Sequence, residues 1–289
     1  MNYAIRPARH EDRDAIAEFT EATFSWGDYV LDSLERWIDD PNGLVVVATD
    51  DNDRAVALSR CALLTPTESW LQGARVRDEW RRQGIAGAMA GVLTTWAADR
   101  GARVVRLAVE DWNQPARGQV ERDGFGRPSA WVYATRSVGA ASPVPSGNGG
   151  RRVAALEQLV RAHSSDAEPA YMAWSAGVLG RRGRGLFALS WTWRRLAPTD
   201  LAAAARAEAL WSARSGWVLA ALRDGTLEVG WVETREEDAQ DLTRALVDLA
   251  AAEGADRLLA MLPAVPWLTQ AIRKAGCDVE RINVYEMPL

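Results

Sequence analysis

The chain is poor in the residues that mark several protein classes. Its 289 residues include two cysteines, Cys61 and Cys277, and two histidines, His10 and His163. Two cysteines so far apart exclude a disulfide scaffold and a cysteine-based zinc site, and they fit a reducing compartment. So few histidines disfavour a histidine-rich metal centre, and no metal is expected. No run of 18 apolar residues is present, so no membrane-spanning helix is expected. The opening MNYAIRPARHEDRD is polar from the start and does not read as a secretory signal, which points to a cytoplasmic protein. Lysine is nearly absent: Lys274 stands alone among 34 basic residues. A bias so uniform reads as genomic composition rather than function. Positive charge is not in excess either. The net charge of -5 disfavours a nucleic-acid binder, which needs a basic face.

What is present is ordinary globular material, 48% apolar and 25% charged. The length suggests about two domains. The segment VGAASPVPSGNGG at 138–150 offers little apolar surface to bury and reads as a flexible linker. It leaves halves of 1–137 and 151–289. In the first, strands are predicted at Asn2–Arg6, Leu44–Thr49, Ala55–Leu64, Ser69–Val76, Val104–Val109 and Ala130–Thr135. Helices are predicted at Glu11–Phe24, Val30–Ile38, Gly84–Arg100 and Pro115–Arg122. That order implies a mixed α/β fold with a central crossover helix. The second half has a similar cadence from Trp217 onward. A hairpin about Asp224-Gly225 precedes a helix at Glu237–Glu253, a strand at Arg257–Leu262, a short helix at Trp267–Lys274 and a strand at Arg281–Met287. We read this as a weak internal duplication. The stretch Arg151–Trp211 is less legible.

The chemistry concentrates in GARVRDEWRRQGIAG, Gly73–Gly87. A strand ends at Val76, and Arg81-Arg82-Gln83-Gly84-Ile85-Ala86-Gly87 opens a long helix. The first turn of a helix has unpaired N–H groups and the positive end of the dipole. Small residues at Gly84, Ala86 and Gly87 would let a pyrophosphate approach these amides, and two arginines add charge. A capped helix packed closely on a strand explains the same residues equally well.

The wider context favours the anion site. Arg-x-x-Gly-x-Ala after Val-Arg-Asp resembles the acyl-CoA motif of the GNAT superfamily of N-acetyltransferases. A second signature follows in order: Asn113-Gln114-Pro115-Ala116-Arg117, then Glu121-Arg122-Asp123-Gly124-Phe125. The resemblance covers Asn2–Arg136. Trp26-Gly27-Asp28-Tyr29 and Trp37-Ile38 before Pro41 look like histidine N-acetyltransferase-type members. It implies two GNAT-like domains in tandem, the second degenerate, with acetyl-CoA as co-substrate and a primary amine of a small molecule as acceptor. Pantetheine would lie between splayed strands at Ala74 and Val76, and the pyrophosphate on the amides of Arg82–Gly87 beside Arg81. A backbone N–H near Gln72–Ala74 would polarise the thioester. Asn113 would order the turn beside the cofactor.

The match has gaps. The position where many members carry a tyrosine acid is Val120, and the strand position where some carry a glutamate base is Ala108. Glu68, Glu110 and Tyr29 remain as catalytic candidates, each also readable as a surface or structural residue. In the second half, Glu233-Thr234-Arg235-Glu236-Glu237-Asp238 precedes the long helix. Acids there stabilise a helix but repel a pyrophosphate. This half is therefore expected to bind no coenzyme A, and to cover a sheet edge or complete the acceptor pocket. Its tryptophans read mainly as core, with a share available to an aromatic pocket. Arg181–Arg184 reads as a solvated loop. Homodimer formation is allowed by the sequence. Two other functions stay open: a silent acyl-CoA-binding regulatory module, and a protein lysine or N-terminal acetyltransferase.

Overall fold

A computed structural model describes residues 2–20, 28–139 and 158–289; the side chains of 127 and 128 are not among those described. The expected Trp26-Gly27, the end of the first predicted helix and most of the 138–150 linker lie outside these residues. The chain divides into two compact units that do not coincide with its halves. Unit 1 comprises Met1–Val109, Asn113–Arg127 and Tyr285–Leu289; unit 2 comprises Glu110–Trp112 and Pro128–Val284. The halves have thus exchanged a strand. Most of the first half's last strand belongs to unit 2, and the end of the chain's last strand belongs to unit 1.

Unit 1 is built from β1 (Ala4–Pro7), α1 (Arg13–Thr20), α2 (Val30–Ile38), β2 (Gly43–Thr49), β3 (Ala55–Thr65), β4 (Glu68–Val76), α3 (Ile85–Asp99), β5 (Val104–Glu110) and α4 (Gln114–Arg122). β1 to β4 form antiparallel pairs and β5 joins β4 in parallel. Tyr285–Leu289 then lies beside β5, with the Leu289 amide donating to the Arg103 carbonyl at 3.0 Å. α1 and α2 pack Ile16, Val30, Leu34 and Trp37 on one face of the sheet, against Val45, Val47 and Leu58. α3 covers the other face with Ile85, Met89, Leu93 and Ala97, against Val46, Val56, Val105 and Tyr285. The α3 residues recur every four positions, which makes one apolar stripe.

Unit 2 contains β6 (Gly126–Ser137, from Pro128 on), β7 (Val160–Arg161), α5 (Ala167–Ala176), α6 (Val178–Arg182), β8 (Leu186–Leu189), β9 (Thr192–Arg195), α7 (Pro198–Arg206), β10 (Leu210–Ala213), β11 (Gly216–Arg223), β12 (Thr226–Thr234), α8 (Ala239–Ala252), β13 (Arg257–Pro263), α9 (Pro266–Lys274) and the first part of β14 (Asp278–Pro288). The predicted hairpin turn is present, with Asp224 and Gly225 both left-handed (φ 45° and 72°), as a tight turn between twisted strands requires. β12 pairs with β11 antiparallel and with β13 in parallel, and β13 pairs with β6.

The end of β14 is fixed in unit 1 on both faces. Arg106, 1% exposed, donates from Nη1 to Glu68 at 3.1 Å and from Nε to Glu286 at 3.0 Å. On the other face the Tyr285 hydroxyl donates to Glu121 of α4 at 3.1 Å. Removing one partner of a buried charge leaves it uncompensated. Glu286 is partly solvated and Glu68 remains, so Glu286→Ala should cost about 2 kcal/mol, below the ~3–5 kcal/mol of a fully buried pair. Urea unfolding of the two proteins measures this.

Candidate functional site

β4 and β5 are hydrogen-bonded neighbours only at their starts: Glu68, Ser69 and Trp70 oppose Val104, Val105 and Arg106. Beyond Trp70 the two strands part, and Leu71–Val76 pairs with β3 alone. Three residues of β3 (Leu58–Arg60) oppose four of β4 (Gln72–Arg75), so β4 carries a bulge at Gly73–Ala74. Gly73 has φ 71°, a conformation that costs a side-chain-bearing residue about 1–2 kcal/mol. A bulge takes a residue out of the ladder and re-aims its amide. Here it does so beside the gap between β4 and β5.

β4 then leads through a 3-10 turn at Asp78–Trp80 to α3. Arg82 (φ 62°) and Gly84 (φ 78°) are both left-handed. Such alternation turns successive N–H groups into one concavity, an anion nest. The first helical bond recorded across this turn is from Ala88 to Gly84, at 3.0 Å, so Ile85, Ala86 and Gly87 are the amides of the open first turn. A Cβ on Gly84 would meet no atom within 4 Å. The space above the turn is free, which is what a phosphate group would need.

The neighbouring side chains have separate tasks. Arg81 donates to the Val76 carbonyl at 3.1 Å and pairs with Asp78 at 2.7 Å. Gln83 donates to the Glu79 carbonyl at 3.3 Å. Arg82 is exposed and Ile85 is buried. At Gly87 a Cβ would lie 2.8 Å from Asp123. Its smallness admits the end of α4 against α3, so close packing explains it. Asn113 caps α4, its Oδ1 accepting from the Ala116 amide at 3.3 Å.

Two of the catalytic candidates, Glu68 and Tyr29, stand at opposite ends of β4. Glu68 sits at the paired start of β4 and is held by Arg106. Glu110 ends β5 and groups with unit 2. Tyr29 lies beside β4, where the Arg75 guanidinium stacks 5.7 Å from its ring centre and Trp37 meets it edge-on at 5.8 Å. The sequence did not reveal the anchor behind this. Asp28, its side chain 1% exposed, accepts from Arg75 at 2.6 and 3.2 Å. The pair spans 47 positions and ties the segment before α2 to the strand that carries the bulge. Trp37 lies directly under Gly73, 2.9 Å from where a Cβ would stand. Cys61 sits in the core, where burial pushes its thiol up to about 11, so it supplies no thiolate nucleophile near neutral pH.

The model of the acetyltransferase (GNAT) family matches residues 13–125. These residues form a GNAT acetyltransferase domain. The family uses acetyl-CoA as co-substrate and transfers its acetyl group to an acceptor. The fold of the whole chain is similar to that of a GCN5-related N-acetyltransferase from Sphaerobacter thermophilus (TM-score 0.68, 13% identity, 99% of this chain and 95% of that one). It is also similar to a candidate acetyltransferase from Thermoplasma acidophilum (TM-score 0.62, 18% identity, 99% and 100%). At such identities the likeness concerns the fold alone. No curated protein sequence matches the chain. No helix among the described residues is long and apolar enough to cross a membrane.

Gly73→Ala should destabilise the GNAT domain by about 1–2 kcal/mol for its backbone alone, with a further loss from the collision with Trp37. Denaturant unfolding, compared with Gly91→Ala on open helix surface, should show only the first protein destabilised.

Proposed function

We propose that unit 1 transfers an acetyl group from acetyl-CoA to the primary amine of a small molecule. The observation that carries this is the conjunction of a strand that has left its neighbour with an open, left-handed turn at the next helix start. Ala74 and Val76 present backbone groups on the free edge of β4, suited to the amides of pantetheine. The amides of Arg82–Gly87 receive the pyrophosphate, with Arg81 and Arg82 at the rim and Asn113 ordering the facing turn. Acetyl-CoA supplies an activated thioester. The amide re-aimed by the bulge at Gly73–Ala74 polarises its carbonyl in a setting partly screened from water.

The acceptor amine attacks the thioester directly in this reading, and the buried Cys61 offers no covalent relay. Tyr29, Trp37 and Arg75 form the acceptor-side wall. The proton leaves the amine through water at this rim rather than to Glu68, whose oxygen is committed to Arg106. A thiol has an ordinary pKa of about 8.5, so its thiolate departs near neutral pH without a strong acid. The presence of Val120 where relatives carry a tyrosine is therefore compatible with turnover.

Unit 2 supplies no comparable cradle in this reading. Glu236, Glu237 and Asp238 precede α8, and the Ala188 carbonyl lies so close to Gly230 that a Cβ there would sit 2.1 Å from it. This close approach of β8 to β12 fills space that a cofactor arm would need.

A second reading has its own support. Val120, Ala108 and the engaged Glu68 leave no obvious acid–base pair, which would suit a module that binds acyl-CoA without turnover. Calorimetry and thiol-release assays separate the two. We expect acetyl-CoA to bind, Gly84→Asp to weaken binding at least tenfold, and an amine panel to release free thiol. Binding without release by any amine would favour the silent module. Unchanged binding by Gly84→Asp would remove the basis of both.

A further inference from the structure

Unit 2 carries an unexplained buried carboxyl group. β12 runs with β13 only over Thr226–Val229, opposite Arg257–Ala260, and continues to Thr234 without it. On this freed stretch Trp231 and Glu233 are two residues apart and so project to one face. Trp217 of β11 stands directly across from Glu233 and shares that face. Trp174 of α5 lies 6.3 Å from Trp231, ring centre to ring centre.

Glu233 is 8% exposed, and its Oε2 has no hydrogen-bond partner. The indole N–H of Trp231 is likewise buried and unpartnered. Gly177, at the junction of α5 and α6, lies against the carboxylate. A Cβ there would stand 3.1 Å from Oε1 and 2.9 Å from the Ala173 carbonyl, so no side chain can enter. Burial pushes the Glu233 carboxyl up to about 7, while Arg235, two residues on, opposes the shift. A carboxyl oxygen and an N–H left unpartnered on one buried face are costly, and such groups persist where something else completes them.

We propose that this face of β12 binds a small amino alcohol, its ammonium paired with Glu233 and its hydroxyl oxygen accepting from Trp231. Trp174, Trp217 and Trp231 form the aromatic wall, which favours a cation over a neutral ligand of equal size. The site belongs wholly to unit 2 and does not rest on the acetyl-transfer reading.

Tryptophan fluorescence of the full chain tests it, with ethanolamine as probe and ethylene glycol as its neutral counterpart. We expect saturable change with ethanolamine, none with the glycol, and at least tenfold weaker binding in Glu233→Gln. Affinity should rise from pH 6 to pH 8 as the carboxyl ionises. The response should persist in Gly84→Asp, which separates this site from the cradle of unit 1. Failure of ethanolamine to saturate, or equal affinity in Glu233→Gln, would overturn the proposal. Folding of the variant is checked by melting. A carboxyl whose pKa is raised in the folded state is most favourable to folding at low pH, and that benefit is lost as pH rises through about 7. Glu233→Gln should therefore melt higher than wild type, by a wider margin at pH 8 than at pH 5. Trp217→Phe, a smaller change on the same wall, should weaken ethanolamine binding while leaving the glycol silent.

Discussion

The parting of β4 from β5 after Trp70 and Arg106 is the constraint on which unit 1 depends. Two parallel strands lose stability wherever their ladder is left unmade, because backbone groups must then find other partners. Here the separation begins beside a buried charge cluster: Arg106 is clamped between Glu68 of β4 and Glu286 of β14. A buried triad of this kind stabilises little against an apolar alternative, but removing one partner is costly. It lies where the paired region ends and the open region starts. The bulge at Gly73–Ala74 and the nest at Arg82–Gly84 then act on a strand edge already freed.

The origin of Glu286 has a structural consequence. The strand flanking β5 comes from the last residues of the chain, not from the first half, which sends its own last strand to unit 2. Unit 1 therefore contains residues separated by more than 150 positions, and Tyr285 and Glu286 hold opposite faces of it. The family match over residues 13–125 covers the cradle but not this strand. The matched segment alone lacks one of the carboxylates that neutralise Arg106.

Much of this was legible in the residues. Val30–Ile38 formed a helix as expected because its apolar positions and the Pro41-Asn42-Gly43 break are local signals. The turn at Arg81–Gly87 was legible because glycine and helix-start chemistry act within a few residues. The contact of Gly87 with Asp123 was not legible, because the two lie far apart along the chain. The exchange of strands could not be read, because a strand's pattern shows which face is buried but not which strand lies beside it. The Asp28–Arg75 pair was invisible for the same reason. Between 158 and 211 the pattern was hard to read because the chain there is cut into elements of two to ten residues, such as Leu186–Leu189 and Thr192–Arg195, most of them too short for a period to emerge.

The central claim is that the freed edge of β4 and the turn at Arg82–Gly87 together receive acetyl-CoA. Amide hydrogen exchange with and without saturating acetyl-CoA tests it most directly. The account predicts new protection at Ala74–Val76 and at Gln83–Ala88, with no change at the start of α8. Exchange unaltered at Gln83–Ala88, or protection confined to 230–240, would contradict it.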